Sequence, residues 1–491
     1  MDLSAINQAY VPRGIPELKL ILTKTHEAFI KYDPDIDGTV AGEFMRRFLH
    51  RFGIPYTYGI NDNRQHGLKM SDDVLLPLKG KTIFLVDAGT SLEELRHVTS
   101  LGINIVNIDH HHIDHQDLVF FQNTETGAYA LMINNQYPFE PEALRFLSGA
   151  GVVYYTLEAL VPGFCTLDEA ALVGLTLLSD IRPLESKLAQ EFLTITYMHD
   201  SPQMSYLLKC TRPDRDWGFG EQTFDRNYID YTFSPKINAL FRLNKGHAAI
   251  DLFRGAFKIQ PQQLDEFRRV QNSIRDLIIQ NLKGVELSNL IFKGVGSHVR
   301  SVYQYDITNF IGLACSRLSN GQKTAFLYVE ENGKIKRGSV RGKCDDVDYL
   351  SIFRKYGFQA EGHHNAFGVI SVDLPRVDIV ALNAEIAQHE QGYEDRKYVG
   401  RLFPVSNLSM FMSSPRGKKI AEMNNYLRDS QRIYLEYKGT PQAVEQRGKM
   451  TAYLVDGIEV RSFEPGLAFE DGLILPVNER RKYIYYYLKP R

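Results

Sequence analysis

The stretch TIFLVDAG at 82–89, LEELRHVTSLG at 92–102 and INIVNIDHH at 103–111 reads as strand, helix, strand. Both apolar runs are short, rich in β-branched residues and end in acidic or imidazole groups. The segment between them has helical spacing of its apolar residues and a closing glycine. That rhythm predicts a βαβ unit, hence a parallel sheet with helices on both faces. In such sheets ligands bind beyond the carboxyl ends of the strands, which is where Asp87 and the Asp109-His110-His111 run fall.

Outward from this unit, GAGVVYYTLEAL (149–160) and LDEAALVGLTLLSDI (167–181) predict buried helices, and 211–227 predicts a polar loop. The charged helical stretch from Gln260 to Lys283 predicts a connector. A second α/β segment follows, with strands at TAFLYVEE and FGVISVDL, and after it come RIYLEYKG, MTAYLVDG and KYIYYYLK, which predict a strand-rich end. A chain of 491 residues is too long for one ordinary core. Hydrophobic content of 44% and charged content of 24% exclude wholesale disorder, collagen and coiled coil. No apolar run reaches the ~18–20 residues of a membrane helix, and the N-terminus lacks a secretory pattern, so no membrane partner is expected. Cys165, Cys210, Cys315 and Cys344 lie far apart without a CxxC pair, which predicts a reduced, cytoplasmic protein. The net charge is −2, yet residues 396–491 carry 17 Lys and Arg against 10 Asp and Glu. That basic, aromatic-rich end suits a polyanion, although ordinary variation between domains produces such asymmetry too.

Four acidic clusters occur in order: Asp33-Pro34-Asp35-Ile36-Asp37-Gly38, Asp87, Asp109-His110-His111-His112, and Asp180 in LLSDIRPL. Taken singly, most of these are ordinary turns or helix ends. Together on one α/β pattern they predict carboxylates crowded at one point, an arrangement that needs a cation to neutralise it. Oxygen donors with one or two imidazoles suit Mn²⁺ or Mg²⁺, and two such ions are the usual apparatus of phosphoryl hydrolysis.

These motifs resemble those of the DHH phosphoesterase superfamily, and within it the RecJ-type single-strand exonucleases, over roughly residues 28–380. DPDIDG, VDAGTS, IDHH and LLSDIRPL are similar to its four metal motifs. NRQHGLKMS (63–71) is similar to the stretch whose arginine grips a 5′-phosphate, with Leu68 in place of a tyrosine. LSGAGVVYYTLEAL, SPKINALFRL (234–243), IGLACSRL (311–318), GSVRG (338–342) and EGHHNAFG (361–368) resemble further family motifs, with Lys236, Phe241 and Glu361 as departures. Lys31 stands where the small-substrate branches carry a histidine.

The resemblance implies an α/β fold in four parts: a parallel-sheet DHH domain at 1–255, a connecting helix at 256–285, a smaller α/β DHH-associated domain at 286–385, and a β-rich domain at 386–491 whose composition permits an OB-like barrel. It implies a two-ion site (Mn²⁺ or Mg²⁺) held by Asp35, Asp37, Asp87, His110 and Asp180, with Asp33 as a further ligand or supporting partner. Asp87 is expected to bridge the ions, Asp109 to orient the histidines and His111 to face the scissile phosphate. Arg64, Ser339, Arg341, His363, Asn238 and Arg242 are the expected phosphate and nucleic-acid contacts. The implied activity is 5′→3′ hydrolysis of single-stranded DNA, with a single-strand-binding protein or a helicase as candidate protein partners. Two alternatives are an oligoribonucleotide or cyclic-dinucleotide phosphodiesterase and a catalytically silent nucleic-acid-binding scaffold. Oligomeric state is not legible.

Overall fold

The computed structural model describes the chain except for residues 1–2, 62–66, 114, 185, 199–201, 213–227, 257–258, 296–304, 320, 332–333, 374–376, 394–401, 425–431, 438–441, 448–449, 463–471, 477–485 and 491. The polar stretch expected to loop at 211–227 therefore lies almost wholly outside the described residues. The chain divides into two compact units, one of Met1–Asp265 with Met412–Arg428 and Pro476–Tyr486, the other of Glu266–Phe411 with Asp429–Leu475 and Tyr487–Arg491.

In the first unit, strands β1 (Ala28–Tyr32), β2 (Tyr56–Ile60), β3 (Thr82–Val86), β4 (Asn104–Asp109), β5 (Phe120–Gln122) and β6 (Tyr129–Asn134) form one sheet in the order β2-β1-β3-β4-β6-β5. All neighbours run parallel except the short edge strand β5, which is antiparallel to β6. The sheet is thus parallel with one reversed edge. The order changes direction between β1 and β3, which makes the crevice beyond their carboxyl ends the switch point where such sheets bind ligands.

Alternation along the strands explains the layering. Ile83, Leu85, Ile105, Ala130 and Met132 face one side and pack with Leu95 and Val98 of the helix Leu92–Ser100. That helix starts where the sequence directs it, at a capping box in which Ser91 and Glu94 exchange side-chain and backbone hydrogen bonds. Phe84, Val86, Val106 and Ile108 alternate to the other side and are fully buried. There the helices Ile36–Arg51 and Gly149–Leu160 lie against the sheet and each other.

The second unit holds a six-stranded sheet from β7 (Leu282–Glu286), β8 (Leu290–Val295), β9 (Thr324–Glu331), β10 (Lys334–Arg341), β11 (Gln359–His363) and β12 (Ala366–Asp373), ordered β11-β12-β10-β9-β8-β7. Its core is aromatic, with Phe292, Phe326, Phe353, Phe358 and Phe367 in edge-on or tilted contact. The expected connector is a helix over Pro261–Gln280, and the chain is already in β7 at Leu282. Lys283 therefore belongs to a strand and not to the helix; its run of apolar residues fits either period over so short a length.

The strand-rich end forms a seven-stranded mixed sheet of β13 (Leu402–Val405), β14 (Tyr434–Tyr437), β15 (Gln442–Arg447), β16 (Met450–Val455), β17 (Ile458–Ser462), β18 (Gly472–Pro476) and β19 (Tyr486–Pro490), ordered β13-β14-β18-β19-β17-β16-β15. An OB-like fold is a five-stranded, partly open barrel. This sheet has two more strands, and the pairing among the described residues does not close. No described helix is long and apolar enough to cross a membrane.

Candidate metal centre

The carboxyl ends of β1, β3 and β4 are adjacent in the sheet, so Asp33, Asp87 and Asp109 come together through strand pairing alone. The backbone N–H of Asp87 donates to the carbonyl of Ile108 at 2.9 Å, which pins the two strand ends to each other. Asp35 caps the helix Ile36–Arg51, its carboxylate accepting from the N–H of Gly38 at 2.9 Å. Asp37, in the first turn of that helix, reaches a second helix: its carboxylate accepts from the N–H groups of Gly149 at 2.6 Å and Ala150 at 3.0 Å. The helix Gly149–Leu160 thus directs its N-terminal donors at one carboxylate, an arrangement the helix dipole favours. Asp180 sits at the C-terminus of the helix Leu167–Ser179.

Three overlapping donor groups result: Asp87, Asp109, His110 and His111; Asp37, His110 and Asp180; and Asp33, Asp35 and Asp87, the atoms of each lying within 4.8 Å of one another. The Nε2 of His110 is 3.1 Å from Asp87 Oδ1, 3.8 Å from Asp180 Oδ2 and 3.9 Å from Asp37 Oδ2. His111 Nδ1 lies 2.7 Å from Asp109 Oδ1, a pairing that fixes the ring's orientation, and Asn134 holds the His111 carbonyl at 3.0 Å.

The electrostatics are those of crowded, buried carboxylates. Burial, then the charges of Asp37, Asp35, Asp33 and Asp180, push the Asp87 carboxyl well above its ordinary range. Burial and neighbouring Asp37 push Asp180 up to about 8, and burial and Asp35 push Asp37 to about 6. Burial would raise Asp109 too, but the adjacent His111 imidazolium and its hydrogen bond hold that carboxyl at about 2. Reciprocally, the Asp109 charge raises His111 to about 10.

A divalent cation fits this donor set. The donors are carboxylate oxygens and imidazole nitrogen, and no described group hydrogen-bonds the fully buried Asp87 Oδ1. An unsatisfied buried carboxylate oxygen close to an imidazole nitrogen is the geometry of two ligands aimed at one ion.

A pH dependence of stability follows. Asp37 and Asp180 titrate at about 6 and about 8 in the metal-free fold, against 3.8 for an ordinary aspartate. The native state therefore retains protons the unfolded chain has lost, and the stability this gives is lost as pH rises from about 4 to 8. His111, raised above its ordinary 6.5, acts in the same direction at the alkaline end. In chelator, the melting temperature should fall between pH 5 and pH 8.5. Saturating Mn²⁺ should reverse the trend, because ligation requires the deprotonated carboxylates. A melting temperature that climbs with pH in chelator would contradict the crowding.

Two features of the centre carry backbone strain. Asp87 has φ of 55° and Ile181 has φ of 55°, in the left-handed region that costs a residue with a Cβ roughly 1–2 kcal/mol. For Asp87 the conformation turns the carboxylate off the strand end into the cluster.

In the second unit, Arg341 donates from Nη1 to Ser339 Oγ at 3.0 Å and from Nε to Ser316 Oγ at 3.1 Å. Arg341 and His363 occupy the same register position on either side of β12, both opposite Ala366, so they share a face of the sheet. The GSVRG and EGHHNAFG motifs thus share one surface, and Ser316 of IGLACSRL, not individually expected as a contact, joins them. Asn238 and Arg242 lie four residues apart on the helix Ser234–Arg242, both half-buried. Lys236 of that helix is buried against Asp265 and donates to the Arg212 carbonyl at 2.9 Å. Arg64 lies outside the described residues.

Residues 28–178 match the model of the DHH family, N-terminal domain. Residues 28–178 therefore carry a DHH-family N-terminal domain. The fold of the chain is RecJ-like. RecJ from Thermus thermophilus in complex with Mn²⁺ is similar with a TM-score of 0.65 and 17% identity, over 98% of this chain and 72% of that one. The same protein in complex with Mg²⁺ gives a TM-score of 0.60 and 16% identity over 98% and 71%. Exonuclease RecJ bound to manganese gives 0.56 and 17% over 77% and 96%. No curated protein matches the sequence.

Proposed function

We propose that this protein is a two-metal exonuclease that removes nucleotides from the 5′ end of single-stranded DNA. The observation that carries the reading is the sharing of Asp87 and His110 among three donor groups, which together offer more candidate donors than one ion takes. The likeness to exonuclease RecJ proteins solved with Mn²⁺ or Mg²⁺ supports the same choice of ions.

Asp35, Asp37, Asp87, His110 and Asp180 would hold the ions, with Asp33 completing the set. When bound, the ions supply Lewis-acid activation of water and neutralise charge on the phosphoryl oxygens. The chain's own groups do the rest. The N-terminal amides at Gly149 and Ala150 fix Asp37 so that it need not reorganise during turnover. Asp109 keeps the proton on His111 Nδ1 and aims the opposite edge of the ring outward, where His111 is 45% exposed and meets the leaving oxygen of the scissile phosphate. Arg341, its guanidinium oriented by Ser316 and Ser339, presents a fork suited to phosphate oxygens beside His363. Arg64 takes the 5′-terminal phosphate, and Asn238 and Arg242 take backbone further along. The basic C-terminal region adds salt-sensitive affinity for longer strands. A single-strand-binding protein or a helicase would deliver the substrate.

The test is digestion of 5′- or 3′-labelled single-stranded DNA and RNA with Mn²⁺ or Mg²⁺, following product length over time. Mononucleotides should leave the 5′-labelled end first, and Arg64→Ala should shrink the preference for 5′-phosphate over 5′-hydroxyl by about tenfold, the worth of one charge-assisted contact. Release from the 3′ end would overturn the polarity, and no cleavage with either ion would overturn the reading.

A further inference from the structure

The candidate ligands differ in their exposure to solvent, Asp35 being partly exposed. Asp33, Asp37, Asp87 and Asp109 are at most 2% exposed and His110 6%, whereas the side chains of Asp180 and His111 are 29% and 45% exposed. Ile181 follows Asp180 directly, so its Cα lies ~3.8 Å from that of a partly exposed candidate ligand. Its side chain is itself 45% exposed.

The local backbone makes this residue choice unfavourable twice over. The helix Leu167–Ser179 ends in a Schellman turn, with the N–H of Ile181 donating to the Leu178 carbonyl at 3.2 Å and that of Arg182 to the Leu177 carbonyl at 3.0 Å. Ile181 occupies the left-handed position of that turn, which glycine fills by preference and asparagine tolerates. A β-branched side chain there is strained, and its apolar surface is left in water. Strain of this kind directly after a partly exposed candidate ligand points to a task for the side chain. The neighbours are already engaged: Arg182 turns inward, its Nε donating to the Phe146 carbonyl at 3.1 Å and lying 3.8 Å from Asp180 Oδ2. Of the three residues, Ile181 is the apolar one, and it is exposed next to Asp180 in the chain.

We propose that Ile181 is a specificity-determining residue that packs against the sugar or base of the nucleotide whose phosphate enters the centre, holding the terminal nucleoside in place through an apolar contact. This rests on the reading of the centre as a nuclease site. The contact is non-directional, so it favours nucleotides over inorganic or small phosphate esters without discriminating among bases.

The experiment compares wild type with Ile181→Gly, Ile181→Asn and Ile181→Val in Mn²⁺, on a 5′-phosphorylated single-stranded oligonucleotide and on methyl p-nitrophenyl phosphate, which has no nucleoside. Glycine and asparagine suit the turn, so their melting temperatures should equal or exceed that of wild type. Their KM for the oligonucleotide should rise about tenfold, as expected for losing one buried apolar contact, with kcat little changed. Ile181→Val should behave as wild type, and the small ester should not distinguish the four proteins. An unchanged KM for glycine and asparagine overturns the proposal while leaving the nuclease reading intact. A KM rise accompanied by a lower melting temperature also overturns it, because the side chain would then be supporting the turn. If wild type turns over neither substrate, the nuclease reading falls and the proposal with it.

Discussion

Replacing Asp87 by asparagine should reduce metal-dependent turnover by on the order of a thousandfold or more while leaving the chain folded. Asparagine is the informative substitution for a reason specific to this position. At φ of 55°, alanine would be strained, whereas asparagine tolerates the left-handed region and matches the carboxylate in shape. The variant therefore removes charge and leaves geometry. Asp87 belongs to two of the three donor groups, so the substitution should weaken both of those groups together. Stability should move the other way: the metal-free variant no longer buries a carboxylate beside Asp37, Asp35 and Asp33, and its melting temperature in chelator should rise. Wild-type turnover by Asp87→Asn, or undiminished wild-type turnover in excess chelator, would remove the two-ion assignment.

Gly149→Ala should be nearly as damaging, although it deletes no ligand. A Cβ at Gly149 would lie 2.5 Å from both Cβ and Cγ of Asp87. Neither atom is the far end of a flexible side chain, so the helix or the strand end must shift. Overpacking of this kind costs about 1–3 kcal/mol. Any shift of the helix also moves the amides that hold Asp37 at 2.6 and 3.0 Å. Turnover should fall about a hundredfold, in line with the effect of displacing groups by an ångström, and affinity for Mn²⁺, measured by calorimetry, should fall with it. Gly38→Ala makes a matched comparison, since its Cβ would lie 2.5 Å from the Cβ of Asp33 and 2.8 Å from its Cα. If Gly149→Ala binds Mn²⁺ as wild type does, the close approach of helix and strand is not what sets the centre.

The sequence was most legible where chemistry and periodicity coincide. β3 and β4 appear where TIFLV and INIVNID alternate or run apolar, and the acidic clusters lie at strand ends because strand ends are where apolar runs stop. What could not be read is whatever depends on distant chain segments. The LSGAG stretch was visible as a helix start, but nothing local shows that its amides serve Asp37, 112 residues earlier. Ser316 joins Arg341 only because a helix and β10 pack together. Ile181 carries no signal at all until its backbone dihedral is known. The reversed edge strand β5 is three residues long, too short for alternation to declare it. At the C-terminal end composition gave strands correctly, but not their number or order, because pairing is set by tertiary context and not by the strands' own residues.

The grip of Gly149 and Ala150 on Asp37 also has a meaning for biosynthesis. A ribosome delivers the first acidic motif more than a hundred residues before the helix that restrains it, and Asp180 emerges later still. During that interval the growing polypeptide displays a cluster of mutually repelling carboxylates with no cradle, and closing so long a loop has an entropic cost that only docking of the helix repays. A complete set of candidate ligands therefore waits for translation as far as Asp180, while about 85 further residues of the same unit, to Asp265, are still to come.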